Sequence, residues 1–328
     1  MKVLLTGATG FLGNNLLRLL LEDGHDIVAT IRTKSDPRPL QGLGVETILC
    51  DLSNPKEVVS VVADAEIVVH CAAMIHIGWT KLEQSRTVNV EATRELAQAC
   101  RLRGIRMIHV STVDTLAAGS LERATDENDT EPAKSKCSYV VSKREGEAVF
   151  MQQVESGLDG VIVNPGFMVG PWDWKPSSGE MMLTVASAFT PFAPKGGCSC
   201  VDVRDTACGI ISAMQHARSG EKYILAGHNL TYLELWKQIA KTTNSKPPIA
   251  NAPNWAATLV GRSADLINSV TRNESIVNSA ATAMGSLYNW HSSEKAKEEL
   301  GYKIGDLETA LNDAWEWFKA YGYVKKTT

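Results

Sequence analysis

The sequence lacks long hydrophobic runs: no apolar segment approaches the roughly 20 residues that a membrane-spanning helix requires. It also lacks the charged segment followed by an apolar one that marks a secretory leader, because its first residues already have the pattern of a strand. Both absences argue against a secreted or membrane protein. We therefore expect a cytoplasmic protein with no membrane partner.

An excess of positive charge is also missing. The 328 residues include 33 Lys and Arg against 37 Asp and Glu, a formal net charge of −4, and the basic residues are scattered. A nucleic-acid interface requires a basic patch or stripe, so we predict no nucleic-acid partner. With 44% hydrophobic residues, the chain can instead bury a large core, as one large domain or two coupled ones.

Cysteines are few and odd in number. Seven are spread along the chain, mostly within apolar segments, as expected of buried thiols. Cys198 and Cys200 form a Cys-x-Cys pair, but no second Cys or His pair stands at the spacing of a zinc site. We predict no metal site.

A glycine-rich stretch near the N-terminus carries the first functional signal. The segment VLLTGATGFLG places Gly7, Gly10 and Gly13 between an apolar strand and the helical pattern of 11–22. Gly7 and Gly10 permit close backbone approach to a pyrophosphate, and Gly13 lets the helix lie close on the sheet. The phosphates would face N–H groups at the positive end of the helix. Glycines alone also fit an ordinary turn, but this context predicts dinucleotide binding.

The end of the second predicted strand, 26–31, bears on which dinucleotide binds. NAD-binding folds carry an acidic residue there for the ribose 2′-hydroxyl, whereas Arg accommodates the 2′-phosphate of NADP. Here the place is held by Ile31 and Arg32, with Lys34 nearby. We predict NADP as the cofactor, with NAD as the second choice; solvated loop charges are the alternative interpretation of Arg32 and Lys34.

Strands and helices alternate through the first half of the chain. Further strands are predicted over 46–50, 67–70, 105–110 and 161–163, and a helix over 85–103. This alternation predicts an α/β fold with a Rossmann-type doubly wound parallel sheet, whose ligands bind at the carboxyl ends of the strands.

Two pairs of residues at those strand ends are candidates for cofactor contact. Asp51 and Leu52 follow the third strand, and the small Ala72 and Ala73 follow the fourth, where they would leave room for the cofactor. Asp51 could bond an adenine amino group, or it could equally cap the helix that starts near residue 55.

Three polar residues after the fifth strand form a candidate catalytic set. Thr112 ends that strand, and Tyr139 and Lys143 follow on a predicted helix, four apart and therefore on one face. A free Tyr has a pKa of about 10, but a neighbouring Lys and an oxidised nicotinamide would favour the phenolate and suit it to proton exchange. Thr112 would donate a hydrogen bond to the same substrate oxygen. Tyr-x-x-x-Lys alone is common in helices, where it is usually an exposed Tyr beside a surface Lys. Because the pair follows the glycine turn and Thr112 in this sequence, we predict that it is catalytic.

In this order, the motifs resemble those of the extended short-chain dehydrogenase/reductase superfamily. The matching pieces are TGATGFLG (6–13), CDL (50–52), HCAA (70–73), VNVEAT (88–93), HVST (109–112), YVVSK (139–143) and NPG (164–166). The tail pieces VDVRDTA (201–207), KYILAGHNLTYLEL (222–235) and HSSEKAKEELGY (291–302) resemble the dihydroflavonol-4-reductase-like branch of its NAD-dependent epimerase/dehydratase members. The resemblance therefore spans nearly the whole chain.

The resemblance implies a role for each matching residue. Tyr139 would be the general acid/base, Lys143 its electrostatic partner and ribose clamp, and Thr112 would hold the place usually taken by Ser. Asn89 would be structural, near the site. A homodimer through the helices that begin near Ser85 and Tyr139 is also implied. With the residues above, the predicted cofactor-binding set is Gly7, Thr9, Gly10, Phe11, Leu12, Gly13, Arg32, Lys34, Asp51, Leu52, Ala72, Ala73, Tyr139, Lys143, Pro165 and Gly166.

The βα alternation lapses over 167–200, which is rich in Trp, Met, Pro and Gly and predicts a substrate lid; ordinary packing of a smaller domain is the alternative. The predicted substrate-binding residues come from this segment and from the loop after Ala73, and are Met74, His76, Trp79, Phe167, Met168 and Trp172. For His76, a structural or exposed histidine is the alternative.

The predicted domains follow from these segments. Residues 1–166, with 201–226 returning to them, form the cofactor-binding domain. Residues 167–200 and 227–328 form a smaller, mostly helical substrate-binding region. The returning segment contains a predicted helix, 205–218, and a predicted strand, 222–225. The helices predicted for the substrate-binding region cover 232–242, 254–268, 274–285, 293–300 and 307–321.

Together these predictions indicate an NADPH-dependent reductase, or the reverse dehydrogenase, acting on a largely apolar ketone or aldehyde. A sugar or nucleotide-sugar epimerase/dehydratase is the alternative. Such members of the superfamily usually carry an Arg just before the VDVRD segment, where this chain has Gly-Cys-Ser-Cys at 197–200, although Arg204, Arg262 or Arg272 could act from elsewhere. A cofactor-sensing protein without catalysis is the third hypothesis.

Overall fold

A computed structural model describes residues 1–62, 64–131, 133–271 and 274–324. The strands in chain order are β1 (Lys2–Thr6), β2 (Asp26–Ile31), β3 (Glu46–Leu49), β4 (Ile67–His70), β5 (Arg106–Val110), β6 (Gly160–Pro165), β7 (Phe167–Val169), β8 (Phe192–Ala193), β9 (Gly197–Asp202), β10 (Lys222–Leu225), β11 (His228–Thr231), β12 (Ala250–Asn251) and β13 (Tyr288–Asn289). The α-helices are α1 (Phe11–Glu22), α2 (Pro55–Ser60), α3 (Leu82–Arg86), α4 (Ala92–Arg103), α5 (Ser138–Glu155), α6 (Gly179–Ser187), α7 (Val203–His216), α8 (Tyr232–Thr243), α9 (Asn254–Thr271), α10 (Ser279–Met284), α11 (Glu294–Leu300) and α12 (Leu307–Ala320).

The central sheet has seven strands in the order β10-β6-β5-β4-β1-β2-β3, and all neighbours run parallel. Chain order reverses at β1, which pairs with β2 on one side and β4 on the other. In such sheets a crevice opens at the carboxyl ends of the strands where the order reverses. The predicted Rossmann-type doubly wound sheet is confirmed, including the return of one strand, β10, from the second half of the chain.

Both faces of the sheet are covered, which explains why its strands are continuous apolar runs rather than alternating ones. On one face, the buried leucines of α1 pack with residues of α7 such as Ile210. On the other face, Val58, Leu96 and Phe150 from α2, α4 and α5 form a second core. The helices thus lie on both sides, and the strand ends between them hold the candidate site.

The second half of the chain contains more strand than its sequence predicted. A four-stranded sheet has β9 at its centre, paired with β7, β11 and β13, and a two-stranded sheet joins β8 to β12. Strand β9 has the sequence GCSCVD and is wholly buried. Its small residues carry neither the β-branched enrichment nor the alternation by which strands are recognised, so the segment was not predicted as a strand.

Two predicted helices differ from the observed ones. The helix predicted over 85–103 is divided into α3, a π-helical turn at Thr87–Glu91, and α4. The helix predicted over 274–285 is confined to α10. Within the described ranges, no helix combines the length and the apolar character of a membrane span.

Candidate active site

The glycine turn at the carboxyl end of β1 has the geometry of a phosphate cradle. Gly7 has a φ of 77°, and a Cβ there would lie 2.7 Å from the backbone nitrogen of Ala72. A Cβ on Gly13 would lie 2.1 Å from the carbonyl oxygen of Gly7, so only glycine lets α1 pack this closely. Gly10 is the N-cap of α1 and supplies no side-chain cap. The residues present therefore fit a pyrophosphate bound at the N-terminus of α1.

The neighbouring predicted cofactor residues surround this turn. Thr9 and Phe11 are partly buried, whereas Leu12 and Leu52 are buried in the core. Ala73 is exposed. The backbone N–H of Ala72 donates to the Thr6 hydroxyl at 3.2 Å, which ties the end of β4 to the end of β1.

The loop after β2 leaves its cations accessible. The side chains of Arg32 and Lys34 are exposed, and neither makes an ion pair with any residue that the structure describes. Asp51 accepts hydrogen bonds from the N–H and hydroxyl of Ser53, and these bonds, aided by the charge of Arg32, lower its pKa. The N-cap of α2 is Asn54, whose side chain accepts from Lys56 N, so the capping role considered for Asp51 belongs to Asn54.

The structure brings Thr112, Tyr139 and Lys143 together. All three are buried, Thr112 just after β5 and the other two in the first turns of α5. Burial lowers the pKa of Lys143 to about 8, and its ammonium donates to the carbonyl oxygen of Val110 at 2.8 Å. Burial raises the pKa of Tyr139, and the carboxylate of Asp114 raises it further, while a hydrogen bond with Thr112 acts in the opposite direction.

The sequence predicted that Lys143 and an oxidised nicotinamide together favour the phenolate. Among the protein groups alone, burial and Asp114 stabilise the neutral phenol. A buried phenol of raised pKa is protonated at neutral pH. Tyr139 is therefore set up to donate a proton rather than to accept one until a further positive charge enters the site.

Asp114 is a site residue that sequence reasoning missed. Its Oδ2 accepts from the Thr112 hydroxyl at 3.1 Å, and its Oδ1 accepts from the side-chain amide of Asn289 at 3.0 Å. Burial raises its own pKa. The available signal was an acidic residue two positions after Thr112, at the carboxyl end of a central strand. Asn289, in β13, is 175 residues away in sequence and gave no such signal.

Glu147 lies behind Lys143, one helical turn further along α5. Its Oε1 accepts hydrogen bonds from Ser111, Thr115 and Asn164, and its Oε2 accepts from the ammonium of Lys222. Burial acts to raise the pKa of Glu147, but Lys222 and the hydroxyl donors lower it overall. An ionised Glu147 favours the charged form of Lys143. This polar cluster also fixes α5 against the ends of β5 and β6.

The loop after β4 is held against α5. Asn89 is buried in the π-helical turn, accepts from Met74 N at 2.7 Å, and donates to Met74 O and to the Ser142 hydroxyl. Further along the loop, the backbone N–H groups of Ser138 and Tyr139 donate to carbonyls of Gly78 and His76. The predicted residues Met74, His76 and Trp79 thus lie on a loop that contacts the start of α5.

Glu274 anchors the same loop from the far end of the chain. Its carboxylate accepts from Trp79 N at 2.8 Å, from Thr80 N at 3.1 Å and from the Thr80 hydroxyl, and it pairs with His76 Nε2 at 2.8 Å. Burial acts to raise the pKa of Glu274, but these partners lower it to about 2. His76 is therefore paired with Glu274, a partner that the sequence did not predict.

The remaining predicted substrate residues lie on and after β7. Phe167 and Met168 are partly buried in β7. Trp172, with a φ of 69°, packs in an aromatic cluster with Trp174, Trp317 and Tyr321, and Arg18 lies 3.5 Å from its ring centre. These contacts of Trp172 agree with the packing alternative for the 167–200 segment.

The remaining predicted residues lie at the end of β6, in β9 and just after β9. Pro165 ends β6, and a Cβ on Gly166 would lie 2.4 Å from the carbonyl oxygen of Ser199, so glycine is needed for β6 and β9 to approach. Cys198 and Cys200 are buried in β9, and burial raises the pKa of both thiols. Arg204 is engaged in ion pairs with Asp202 and Asp313. Arg272 lies outside the described residues.

The chain is similar in sequence to known proteins over nearly its whole length. The sequence model of the NAD dependent epimerase/dehydratase family matches residues 3–226. A Synechocystis protein whose name refers to dihydroflavonol 4-reductase is 29% identical over 98% of this chain and 95% of its own length. Sterol demethylase protein B of Methylococcus capsulatus is 29% identical, over 99% of this chain and 100% of that protein. Ceramide reductase of Caulobacter vibrioides is 27% identical, over 99% and 96%.

Solved structures agree with the fold. The crystal structure of gox2253 superposes with a TM-score of 0.86 at 32% identity and covers 99% of both chains. UDP-glucose 4-epimerase of Thermus thermophilus, solved with NAD, has a TM-score of 0.75 at 18% identity and covers 97% of this chain and 99% of that one. At that identity the second match supports the fold alone.

Proposed function

We propose that this chain, which belongs to the NAD-dependent epimerase/dehydratase family and is a nicotinamide-dependent oxidoreductase of carbonyl and CH–OH groups, reduces an apolar ketone or aldehyde with NADPH. One observation carries the proposal: the phenol of Tyr139, whose pKa is raised by burial and by Asp114, lies beside Thr112 while its ring belongs to an apolar cluster. The ring packs against a cluster formed by Ala133, Cys137, Val140, Ala280 and Met284. A neutral proton donor with apolar walls suits carbonyl reduction better than the binding of a charged substrate.

In this proposed reduction, Tyr139, Thr112 and Lys143 each have a separate role. When bound, the nicotinamide supplies a hydride to the carbonyl carbon. Tyr139 donates its phenolic proton to the carbonyl oxygen as negative charge develops there. The Thr112 hydroxyl, which donates to Asp114 in the structure, would turn toward the same oxygen. Lys143, held at Val110 O, places a positive charge close to the phenolate that results.

The accessible cations after β2 support NADPH over NADH. An exposed Arg32 guanidinium without an ion pair in the described part of the chain is available to a 2′-phosphate, and no acidic side chain stands in its place for a 2′-hydroxyl. One charge-assisted contact changes affinity on the order of tenfold to a hundredfold. We expect Arg32→Ala to reduce the ratio of NADPH to NADH affinity by that factor, as measured by fluorescence titration. Arg103→Ala, an exposed arginine at the end of α4, is the control and should leave the ratio unchanged.

A nucleotide-sugar epimerase or dehydratase is the second candidate because the family model that matches residues 3–226 describes epimerases and dehydratases. Two observations weigh against it. The segment 197–200 offers no cation for a diphosphate, and Arg204 is committed to two carboxylates. The third candidate, a cofactor sensor, does not need a buried proton donor beside the cofactor.

The deciding experiment measures NADPH oxidation by absorbance with a panel of long-chain ketones and aldehydes. In parallel, UDP- and dTDP-sugars are incubated with the protein and their conversion is followed by chromatography, because epimerases and dehydratases consume no net NADPH. We expect turnover of the apolar carbonyls, and Tyr139→Phe should lower it at least about a hundredfold while NADPH affinity stays within about twofold. Tyr321→Phe, a conservative change at a half-exposed tyrosine of the aromatic cluster, is the matched control. Turnover of nucleotide sugars alone would favour the second candidate, and NADPH binding without any turnover would favour the third.

A further inference from the structure

Helix α9 exposes nearly all of its apolar side chains. Of its 18 residues only Gly261 is buried, where the helix lies against Ser279 at the start of α10. Trp255, Leu259, Leu266 and Val270 are 72%, 60%, 70% and 79% exposed, and their spacing of four, seven and four residues places them in one stripe. Val260 and Ile267, beside the stripe, are more than half exposed. Such a contiguous exposed apolar surface marks an interaction site rather than a scatter of single residues.

Two cavities that share Trp79 are lined by three cations and one carboxylate. Arg262 is exposed on α9 and lines a cavity of about 400 Å³ together with Trp79. A second cavity of about 180 Å³, also lined by Trp79, is bordered by the exposed Lys134 and Lys136. Within the described ranges none of these three cations makes an ion pair. The one carboxylate that lines either cavity, Asp265, already accepts from Ser279 N.

A chain of hydrogen bonds joins this surface to the candidate active site. The indole N–H of Trp79 donates to the Ser279 hydroxyl at 2.7 Å, and the buried Asn278 donates to Ile77 O at 2.8 Å. The same loop then receives the N–H groups of Ser138 and Tyr139. The α9–α10 segment and the start of α5 therefore both bond to one loop, 76–80, and Ala280 and Met284 of α10 also pack in the apolar cluster that contains Tyr139.

We propose that the α9 stripe, with Lys134, Lys136 and Arg262, docks on the surface of a bilayer that contains anionic phospholipid. Amphipathic helices with exposed Trp, Leu, Ile and Val on one side and cations nearby lie in the interfacial plane of such membranes. Docking here would turn loop 74–80 toward the bilayer, so that an apolar substrate dissolved in it could reach Tyr139 without crossing water. The substrate part rests on the proposed function; the docking does not.

A second copy of the chain fits this surface less well. In a two-fold interface the same patch lies on both sides, so the interface would gather three cations without ion pairs from each copy. Like charges in close apposition are unfavourable, whereas anionic headgroups would neutralise them. The sequence-based expectation of no membrane partner considered spanning segments, and peripheral docking needs none.

The test is sedimentation of the full-length protein with phosphatidylcholine vesicles, with and without phosphatidylglycerol. The wild-type protein should bind the anionic vesicles, and the double change Leu266→Glu with Val270→Glu should weaken this binding at least about tenfold. Lys134→Ala with Lys136→Ala should weaken binding to anionic vesicles on the order of tenfold, and added salt should act in the same direction. Leu102→Glu, at a leucine of α4 that is 67% exposed, is the matched control and should bind as the wild type does.

Three outcomes would overturn the proposal: no binding of the wild-type protein to anionic vesicles, equal loss with the Leu102 control, or a wild-type dimer that Leu266→Glu with Val270→Glu converts to a monomer in light scattering. The last would assign the stripe to an interface between copies. Vesicle binding requires neither cofactor nor substrate. If docking is observed but no carbonyl is reduced, the proposed function alone fails; if soluble ketones are reduced and vesicles are not bound, the docking alone fails.

Discussion

Asp114 makes Tyr139 a weaker acid than its partner Lys143 would suggest. The carboxylate accepts hydrogen bonds from the Thr112 hydroxyl and from the Asn289 amide. Its position is therefore fixed by a neighbour two residues away and by a residue of β13, 175 residues away. Burial and this negative charge together keep the phenol protonated. Reduction begins from the protonated form, whereas oxidation of an alcohol needs the phenolate. The pH range in which alcohol oxidation is fast should therefore depend on this single carboxylate.

Replacing Asp114 with Asn tests this influence. The change keeps the side-chain shape and an acceptor for Thr112 but removes the negative charge, so the pKa of Tyr139 should fall. In the oxidation direction kcat/KM rises with pH as the phenolate forms, and its rising limb should move to lower pH by on the order of one pH unit. The measurement is the pH profile of alcohol oxidation, with Asp23→Asn on the exposed end of α1 as control. A limb that stays in place or moves to higher pH would contradict the assignment.

At the scale of elements, local signals were predicted well and distant contacts were not. The β1–α1 unit was predicted to within one residue at each end, because its apolar run, glycines and helical periodicity lie in one continuous stretch. By contrast, the loop 76–80 takes its shape from Glu274, about 194 residues further along the chain. Strand β9 is likewise defined by its partners β7, β11 and β13 rather than by its own residues. Periodicity contains no information on such long-range pairings.

Two glycines of the turn should respond differently to alanine. A Cβ on Gly13 would lie 2.1 Å from backbone Gly7 O, which cannot move without displacing α1 from the sheet, so Gly13→Ala should destabilise the fold by at least about 1–3 kcal/mol. Gly10 has a φ of −86°, and its Cβ would meet only Gly7 O, at 3.2 Å. Gly10→Ala should therefore fold nearly normally and yet lose affinity for the cofactor.

Thermal unfolding without cofactor, combined with a fluorescence titration of NADPH, separates the two effects. The Gly13 variant should show the lower melting temperature, and the Gly10 variant the weaker binding at a nearly unchanged melting temperature. Normal NADPH affinity in Gly10→Ala would mean that the pyrophosphate does not lie over this turn.

Across the whole molecule, the C-terminal third is interlocked with the sheet. The N–H of Thr125, in the long connection between β5 and α5, donates to Trp290 O at 3.0 Å. Glu127 in the same connection accepts from Ile224 N of the edge strand β10 at 2.7 Å. The Asp114–Asn289 bond joins the same two parts at the candidate site. Contacts of this kind should couple the unfolding of the two parts.

The protein should accordingly unfold by heat in one cooperative transition, and NADPH should raise that transition as a whole. At a free concentration of a hundred times Kd, a ligand that binds only the folded state adds about 2.7 kcal/mol, which corresponds to an increase of about 4 °C for a chain of this size. Differential scanning calorimetry with and without NADPH measures both quantities. Tyr139→Phe should show the same increase, because it retains the cradle, whereas Gly10→Ala should show little. Two resolved transitions, with only the lower or only the upper one moved by NADPH, would instead indicate that the cofactor-binding sheet and the C-terminal third are energetically separate.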